Sequence, residues 1–312
     1  MHKPGYNVSD LRSWEQQLLF NDTDPYVMFL RQNQTKTFHM KAWGGNCGDA
    51  LIWLGTEQLF RDLGIRTTLD PAQADVVLIP GGNQTMYQAN IDVWKTAWAK
   101  WPDKEFVVGP MTASAGFTTW VEDTHNAPVS IIGMFARDPV SYANLCECDF
   151  DPAMVLGLSH DPALYLRDSE FIRRQKDAAT EEHVLAVFRA DSEGYCISDQ
   201  RLQWLFRSMP EALSRRMDFR LRARSQAQKI ATAARISDAN GNLKVCDIAR
   251  HTIPFFFELL RSAKEVHTDR LHCMLAAVML GKRTFAYPTT YGKLEAVYEH
   301  SVKDWAEVEF VS

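Results

Sequence analysis

The sequence has 312 residues, with 46% hydrophobic and 23% charged side chains and a formal net charge of −5. That length suits two domains or one large one, and the composition excludes collagenous and disordered chains. The acidic balance speaks against nucleic acid as a partner, since a dedicated binder carries a basic footprint.

The opening MHKPGYNVSDL has no apolar stretch of the kind a secretory signal needs. The longest nearly apolar run, Cys273 to Leu280, is far too short to span a bilayer. A cytoplasmic location is the expectation. Residues 1–36 form a polar extension with one short helix, Leu11 to Phe20, capped by Ser9-Asp10. Leu11, Trp14, Leu18 and Leu19 share a face, which reads as a helix packed on its own domain in preference to a membrane or partner helix.

A repeating pattern follows. Thr37 to Trp43 reads as a strand ending in Gly44-Gly45-Asn46-Cys47-Gly48-Asp49, and Ala50 to Leu63 as the next helix, with Asp49 as a candidate cap. Ala74 to Ile79 is a short continuous apolar run, as a fully buried parallel strand requires, and it ends in Pro80-Gly81-Gly82-Asn83. Phe106-Val-Val108 and Val129-Ser-Ile-Ile132 are two more such runs. Strand, turn and helix in repetition give an α/β domain with a parallel sheet, whose ligands bind at the carboxyl ends of the strands.

Residues 166–182 are charged and read as a linker, in part helical. The pattern then restarts. His183 to Phe188 is a strand ending in Arg189-Ala190-Asp191-Ser192-Glu193-Gly194, and Asp199 to Met209 is a helix. Ser214 to Arg235 carries seven basic residues against one acid, Asp218, and reads as a solvated helix face or an edge strand, with an anionic partner as the alternative. Leu243 to Val245, Glu265 to Thr268 and Arg283 to Tyr287 read as strands, Ile253 to Arg261 and Leu271 to Leu280 as helices. The architecture expected is therefore an N-terminal domain over 1–165, its extension reaching to about 36, and a C-terminal domain over 166–312, with a cleft between them.

The residues suited to chemistry lie at the strand ends. The turn Asn46 to Asp49 leads into a helix start, whose free amides favour an anion, though it lacks both the Walker A lysine and the GxGxxG spacing. Thr268-Asp269-Arg270-Leu271-His272 opens a helix that is apolar almost all round. An arginine and a histidine beside helix N-terminal amides form a compact anion site, and an imidazole suits general acid or base work near neutral pH. The plain alternative is Asp269 as N-cap, Arg270 paired to it and His272 merely packed. Arg189, Asp191 and Glu193, and Arg137-Asp138 with Ser141-Tyr142, also stand at strand ends, where a structural salt bridge is the alternative. Lys293 is a further phosphate contact or a surface lysine. Of the six cysteines, Cys146 and Cys148 form a CxC without a second pair at zinc-finger spacing, so reduced thiols and no metal are expected.

Together these pieces resemble the polysaccharide pyruvyl transferase family, and the closing Tyr291-Gly-Lys293 with Val297-Tyr298-Glu299 looks like its exopolysaccharide branch. The matching residues are Gly45-Asn-Cys-Gly-Asp49, Gly81-Gly82, Ala136-Arg-Asp-Pro-Val-Ser-Tyr142, Phe188-Arg-Ala-Asp-Ser-Glu193, Thr268-Asp-Arg-Leu-His272 and Tyr291-Gly-Lys293. The second glycine turn departs from the pattern: Asn83 stands where many members carry a third glycine, and the first acid after it is Asp92. The resemblance implies a GT-B-like fold, two Rossmann-like domains facing a cleft. It implies transfer of a pyruvyl group from phosphoenolpyruvate onto two sugar hydroxyls as a cyclic ketal, with no cofactor. Its donor-binding residues map onto Arg270, Leu271 and His272, with Arg189 and Lys293 beside them. Asn46, Gly48, Asp49, Gly82, Asn83 and Arg137 fall on the acceptor side. His272 is the candidate acid, and Asp191, Glu193 or Asp49 the base. A lipid-linked acceptor would bring the protein to the inner face of the membrane, and a homo-oligomer is compatible with the sequence. The rival readings are a nucleotide-sugar glycosyltransferase of the same fold and a non-catalytic partner in polysaccharide assembly.

Overall fold

The computed structural model describes residues 23–41, 45–83, 88–113, 129–151, 153–189, 211–238, 242–247, 251–289 and 292–311. The helices expected over Leu11 to Phe20 and Asp199 to Met209 lie outside the described residues, as do Asp191, Glu193 and Cys196. The chain divides into two compact units, Met1–Gly44 with Ile52–Leu166, and Gly45–Leu51 with Arg167–Ser312.

The first unit is built on β1 (Thr37–Met40), β2 (Arg66–Thr67), β3 (Val76–Ile79), β4 (Glu105–Met111), β5 (Ser130–Ala136) and β6 (Val155–Leu158). They form one sheet in the order β2-β1-β3-β4-β5-β6, parallel at every pairing. Parallel strands need crossover helices, and these cover both faces. That is why all four residues of β3 are apolar and buried. On one face Val77, Ile79, Phe106, Val108 and Met134 pack with Trp94 and Trp98 of α3 (Gln88–Lys100). On the other, Phe135 meets Tyr26 and Phe29 of α1 (Pro25–Gln32) at ring-centroid distances of 5.0 and 5.4 Å. Helix α1 lies in the polar extension, after the stretch from Leu11 to Phe20 where the sequence suggests its one short helix. Asp24 caps it by accepting the Val27 N–H at 2.9 Å, and Pro25 occupies its first position.

Helix α2 (Cys47–Leu63) starts earlier than the apolar periodicity indicates. Asn46, not Asp49, supplies the cap: its Oδ1 accepts the Gly48 N–H at 2.7 Å. Asp49 reaches back from the first turn to accept the Asn46 N–H at 2.9 Å, so the two side chains satisfy two helix-start donors reciprocally. The first turn of α2 belongs with the second unit. Helix α4 (Pro139–Cys146) follows β5 and is capped by Asp138.

The second unit holds β7 (His183–Val187), β8 (Leu243–Cys246), β9 (Ala263–Thr268), β10 (Arg283–Ala286) and β11 (Glu309–Phe310), in the order β11-β10-β9-β7-β8 and again parallel throughout. Around it run α5 (Glu170–Asp177), α6 (Glu211–Ile236), α7 (Ile253–Arg261), α8 (Leu271–Met279) and α9 (Lys293–Ser301). Helix α5 lies in the stretch expected as a linker. It is capped by Ser169, its Ile172 is fully buried, and Phe171 meets Phe257 of α7 at 4.8 Å, so it is an integral part of this unit. The basic segment is one 26-residue helix, α6, and the edge-strand alternative falls away.

Each unit is thus a Rossmann-like α/β sheet, as the repeated strand-turn-helix pattern implies. In both sheets the chain steps to one side of its first strand and then crosses to the other. The strand order therefore reverses between β1 and β3, and between β7 and β9. Open parallel sheets bind ligands at the carboxyl ends of the strands flanking such a reversal.

Candidate active site

At the reversal in the second sheet, Arg189 follows β7 while Asp269 and Arg270 follow β9. Asp269 is fully buried. One of its oxygens accepts the Arg189 backbone N–H at 2.8 Å, and the other accepts from Lys229 of α6 at 2.7 Å. Asp269 is therefore not the cap of α8, and it is not the partner of Arg270. Thr268 holds the turn instead, its Oγ1 accepting the Arg270 N–H at 3.0 Å. Arg270 donates from Nη2 to Asp247, just past the end of β8, at 2.9 Å.

The Arg270 side chain is only 8% exposed, and its Nε is buried without a hydrogen-bond partner. A buried, unsatisfied donor costs about 1–3 kcal/mol, and a guanidinium offers its N–H groups in a fixed fork that matches carboxylate and phosphate. The arrangement holds unused donor capacity at the start of α8, where the helix dipole also favours an anion.

His272 stands in the first turn of α8. The Asn46–Asp49 turn packs against it: a methyl group added to Gly48 would lie 2.5 Å from His272 Nδ1 and 3.1 Å from its Cγ. Only glycine leaves room for the imidazole. The structure thus brings Asn46, Gly48 and Asp49, which the resemblance places on the acceptor side, beside the Arg270–His272 motif in the second unit.

Three thiols, Cys47, Cys246 and Cys273, lie near enough to Arg270 to feel its charge. Burial pushes each of them up, Cys246 to about 11 and Cys273 to about 12, and Cys47 in the same direction. They are neutral near pH 7. Cys47 donates its S–H to the His251 carbonyl at 2.6 Å. No thiolate therefore competes with an incoming anion for Arg270, and none of the three is poised as a nucleophile. Lys293 is buried at the first position of α9, after Gly292 in the left-handed region at φ 58°, so it is not a surface lysine. Among the described residues no group of three or more His, Cys, Asp or Glu is placed to hold a metal ion.

In the first unit, Gly82, Asn83 and Arg137 do come together. Arg137 is 1% exposed and all three of its nitrogens have protein partners. Nε donates to Thr112 at 3.0 Å, Nη1 to fully buried Asp161 at 2.7 Å, and Nη2 to Asn83 at 2.8 Å. The cluster ties together the carboxyl ends of β3, β4, β5 and β6. Asp138 is not the partner of Arg137: it accepts from Ser141 N–H at 2.8 Å. Gly81 serves the sheet, since a Cβ there would lie 1.6 Å from the Pro110 carbonyl oxygen. Sequence reasoning does not single out Asp161 or Asp247, and it reads Lys229 only as one of the basic residues between Ser214 and Arg235. Asp247 had one local signal, its place directly after an apolar strand.

The polysaccharide pyruvyl transferase family model matches residues 130–291. This is just over half the chain, and it includes both Arg189 and the Arg270–His272 motif. The protein belongs to the polysaccharide pyruvyl transferase family. It is a transferase of that family, which implies a saccharide acceptor. No curated protein matches the chain. Among solved structures, an uncharacterized protein from Klebsiella pneumoniae is similar at 19% identity, with a TM-score of 0.57, over 91% of this chain and 96% of that one. This likeness concerns the fold. The UDP-GlcNAc 2-epimerase from Methanocaldococcus jannaschii matches more distantly, at 11% identity and a TM-score of 0.38, over 88% of each chain. Among the described residues no helix is long and apolar enough to cross a membrane.

Proposed function

We propose that this protein transfers a pyruvyl group from phosphoenolpyruvate onto two hydroxyls of a saccharide, forming a cyclic ketal. The observation that carries the reading is the buried Arg270 guanidinium, with an unsatisfied Nε, at the start of α8 beside His272. Phosphoenolpyruvate presents a carboxylate and a phosphate, and arginine matches both in bidentate fashion. Arg270, with Arg189 past the end of β7 and Lys293 at the start of α9, supplies cations for the two groups. The family membership supports the same chemistry.

Ketal formation begins with a proton delivered to the methylene carbon. This leaves positive charge at the adjacent carbon, which a sugar hydroxyl attacks. The carbon–oxygen bond to phosphate then breaks, and the second hydroxyl closes the ring. His272 is the proton donor. A carboxylate takes the hydroxyl protons: Asp49, whose turn packs on His272, Asp247, or Asp191 and Glu193. Gly82 and Asn83 are assigned to the acceptor, with Arg137 fixing the Asn83 side chain. A lipid-linked acceptor at the inner membrane face fits this reading, as does an assembly of like copies.

The test is incubation with saccharide acceptors and phosphoenolpyruvate carrying an isotopic label in its bridging oxygen. Saccharide-dependent release of phosphate that retains the label is the expected outcome, because the carbon–oxygen bond breaks. Label left in pyruvate, or consumption of a nucleotide-sugar in its place, would contradict the reading.

A further inference from the structure

Asp269 does more than terminate β9. It is fully buried, and its carboxylate joins three elements: its own strand end, the backbone of Arg189 past β7, and Lys229 of α6. Helix α6 touches the same turn a second time, where Gln226 Nε2 donates to the Phe188 carbonyl at 3.4 Å. The Phe188–Arg189 backbone, from which the Arg189 side chain departs, is therefore fixed by Asp269 and by one face of α6.

The charges matter as much as the geometry. Asp269 is an anion with no access to solvent, one residue from Arg270. An uncompensated carboxylate there would oppose an anionic ligand, because a buried charge is poorly screened. Lys229, 13% exposed, neutralises it at 2.7 Å.

We propose that Asp269 and Lys229 are positioning residues of the donor site. Their ion pair fixes the turn that carries Arg189 and removes the negative charge that would otherwise repel the donor. This assignment rests on the phosphoenolpyruvate reading above. It gives the basic helix α6 a role inside the site. Neither residue needs to touch the donor.

The experiment is calorimetric titration of phosphoenolpyruvate into the wild type, Lys229→Met, Lys229→Arg, Asp269→Asn and the double variant Lys229→Met/Asp269→Asn, with a melting temperature for each. Lys229→Met leaves Asp269 uncompensated one residue from Arg270 and should weaken binding by about tenfold or more, the order that repulsion between close charges reaches at an intermediate dielectric. Lys229→Arg keeps the charge, and the double variant removes both charges while an amide oxygen still accepts the Arg189 N–H. Both should bind within about threefold of the wild type, the rescue that coupled neighbours show in a mutant cycle. A merely structural role would leave the double variant at least as impaired as the single one, and that result would overturn the assignment. If Lys229→Met does not fold, Asp269→Asn decides the matter: it removes the negative charge and still accepts the Arg189 N–H, so tighter binding supports the assignment, and unchanged or weaker binding overturns it. A wild type that does not bind phosphoenolpyruvate overturns the donor reading and this assignment with it. Saturable binding of equal strength in all five proteins overturns the assignment alone.

Discussion

Gly48 and His272 are 224 positions apart in the chain, yet a Cβ on Gly48 would stand 2.5 Å from His272 Nδ1. The first turn of α2 is therefore a wall against which the imidazole rests. The distance is too short for any real Cβ, so Gly48→Ala must displace the ring, the helix start or both. Overpacking of this kind typically costs about 1–3 kcal/mol. The expected outcome is a melting temperature lowered by a few degrees, with pyruvyl transfer reduced far more than the loss of folded protein explains. Parallel activity and thermal-unfolding measurements check this.

The Arg137–Asp161 pair of the first unit makes a different prediction. Both side chains are buried, at 1% and 0% exposure. Removing one partner leaves the other as an uncompensated buried charge, which costs about 3–5 kcal/mol. Asp161→Ala should destabilise the protein by that amount in chemical denaturation. Asn83 also loses its anchor when Arg137→Met is made, so a loss of saccharide affinity should accompany the loss of stability. A change below about 1 kcal/mol, the size of an exposed pair, would show that the cluster carries no strain of burial.

Acid stability follows from His267. It is fully buried on β9, stacks on Phe285 with ring centroids 4.4 Å apart, and its two ring nitrogens face Ser237 at 2.7 Å and Tyr287 at 3.0 Å. Burial lowers it to about 4 from the ordinary 6.5, partly offset by Glu265. Burial lowers His183 as well. A base whose pKa is lower in the folded state takes up protons on unfolding. The stability it contributes is complete above pH 6.5 and is lost as the pH falls toward about 4. His267→Gln should flatten the pH dependence of stability across that window. Denaturation series between those limits, on wild type and variant, provide the check.

How much of this was legible in the sequence depends on how local each signal was. Helix α7 was readable to the residue, because Ile253-Pro-Phe-Phe-Phe places proline at a helix start ahead of an apolar face. Helix α8 was readable because it is apolar almost all round. Strands β2 and β11 were not, since two residues carry no periodicity. Helix α1 had a usable signature in Asp24-Pro25, but its two turns were lost in a polar stretch. At the site, the residue types of the Arg270–His272 motif were plain while their partners were not. Arg189 and Asp269 are 80 positions apart and Cys47 and His251 are 204 apart, and nothing local specifies such pairings. Asp269 beside Arg270 suggested a pair, whereas the sheet reversal hands Asp269 to β7 and α6 and leaves Arg270 to β8.

The thiols near Arg270 give a further prediction. Cys246 and Cys273, held near 11 and 12 by burial, should resist alkylation at neutral pH in the folded protein, while exposed Cys146 reacts. Mass spectrometry of iodoacetamide-treated protein checks the order. Early modification of Cys273 would mean that α8 opens readily, contrary to its packing.

The most direct test of the central claim is a thermal shift with phosphoenolpyruvate on the wild type, Arg270→Ala and His272→Ala. A ligand that binds only the folded state adds about 2.7 kcal/mol at a hundredfold excess over its dissociation constant. The wild type should gain several degrees, Arg270→Ala should gain none, and His272→Ala should retain most of the shift while losing transfer. An equal shift in wild type and Arg270→Ala, or a shift with nucleotide-sugars alone, would contradict a donor site at Arg270.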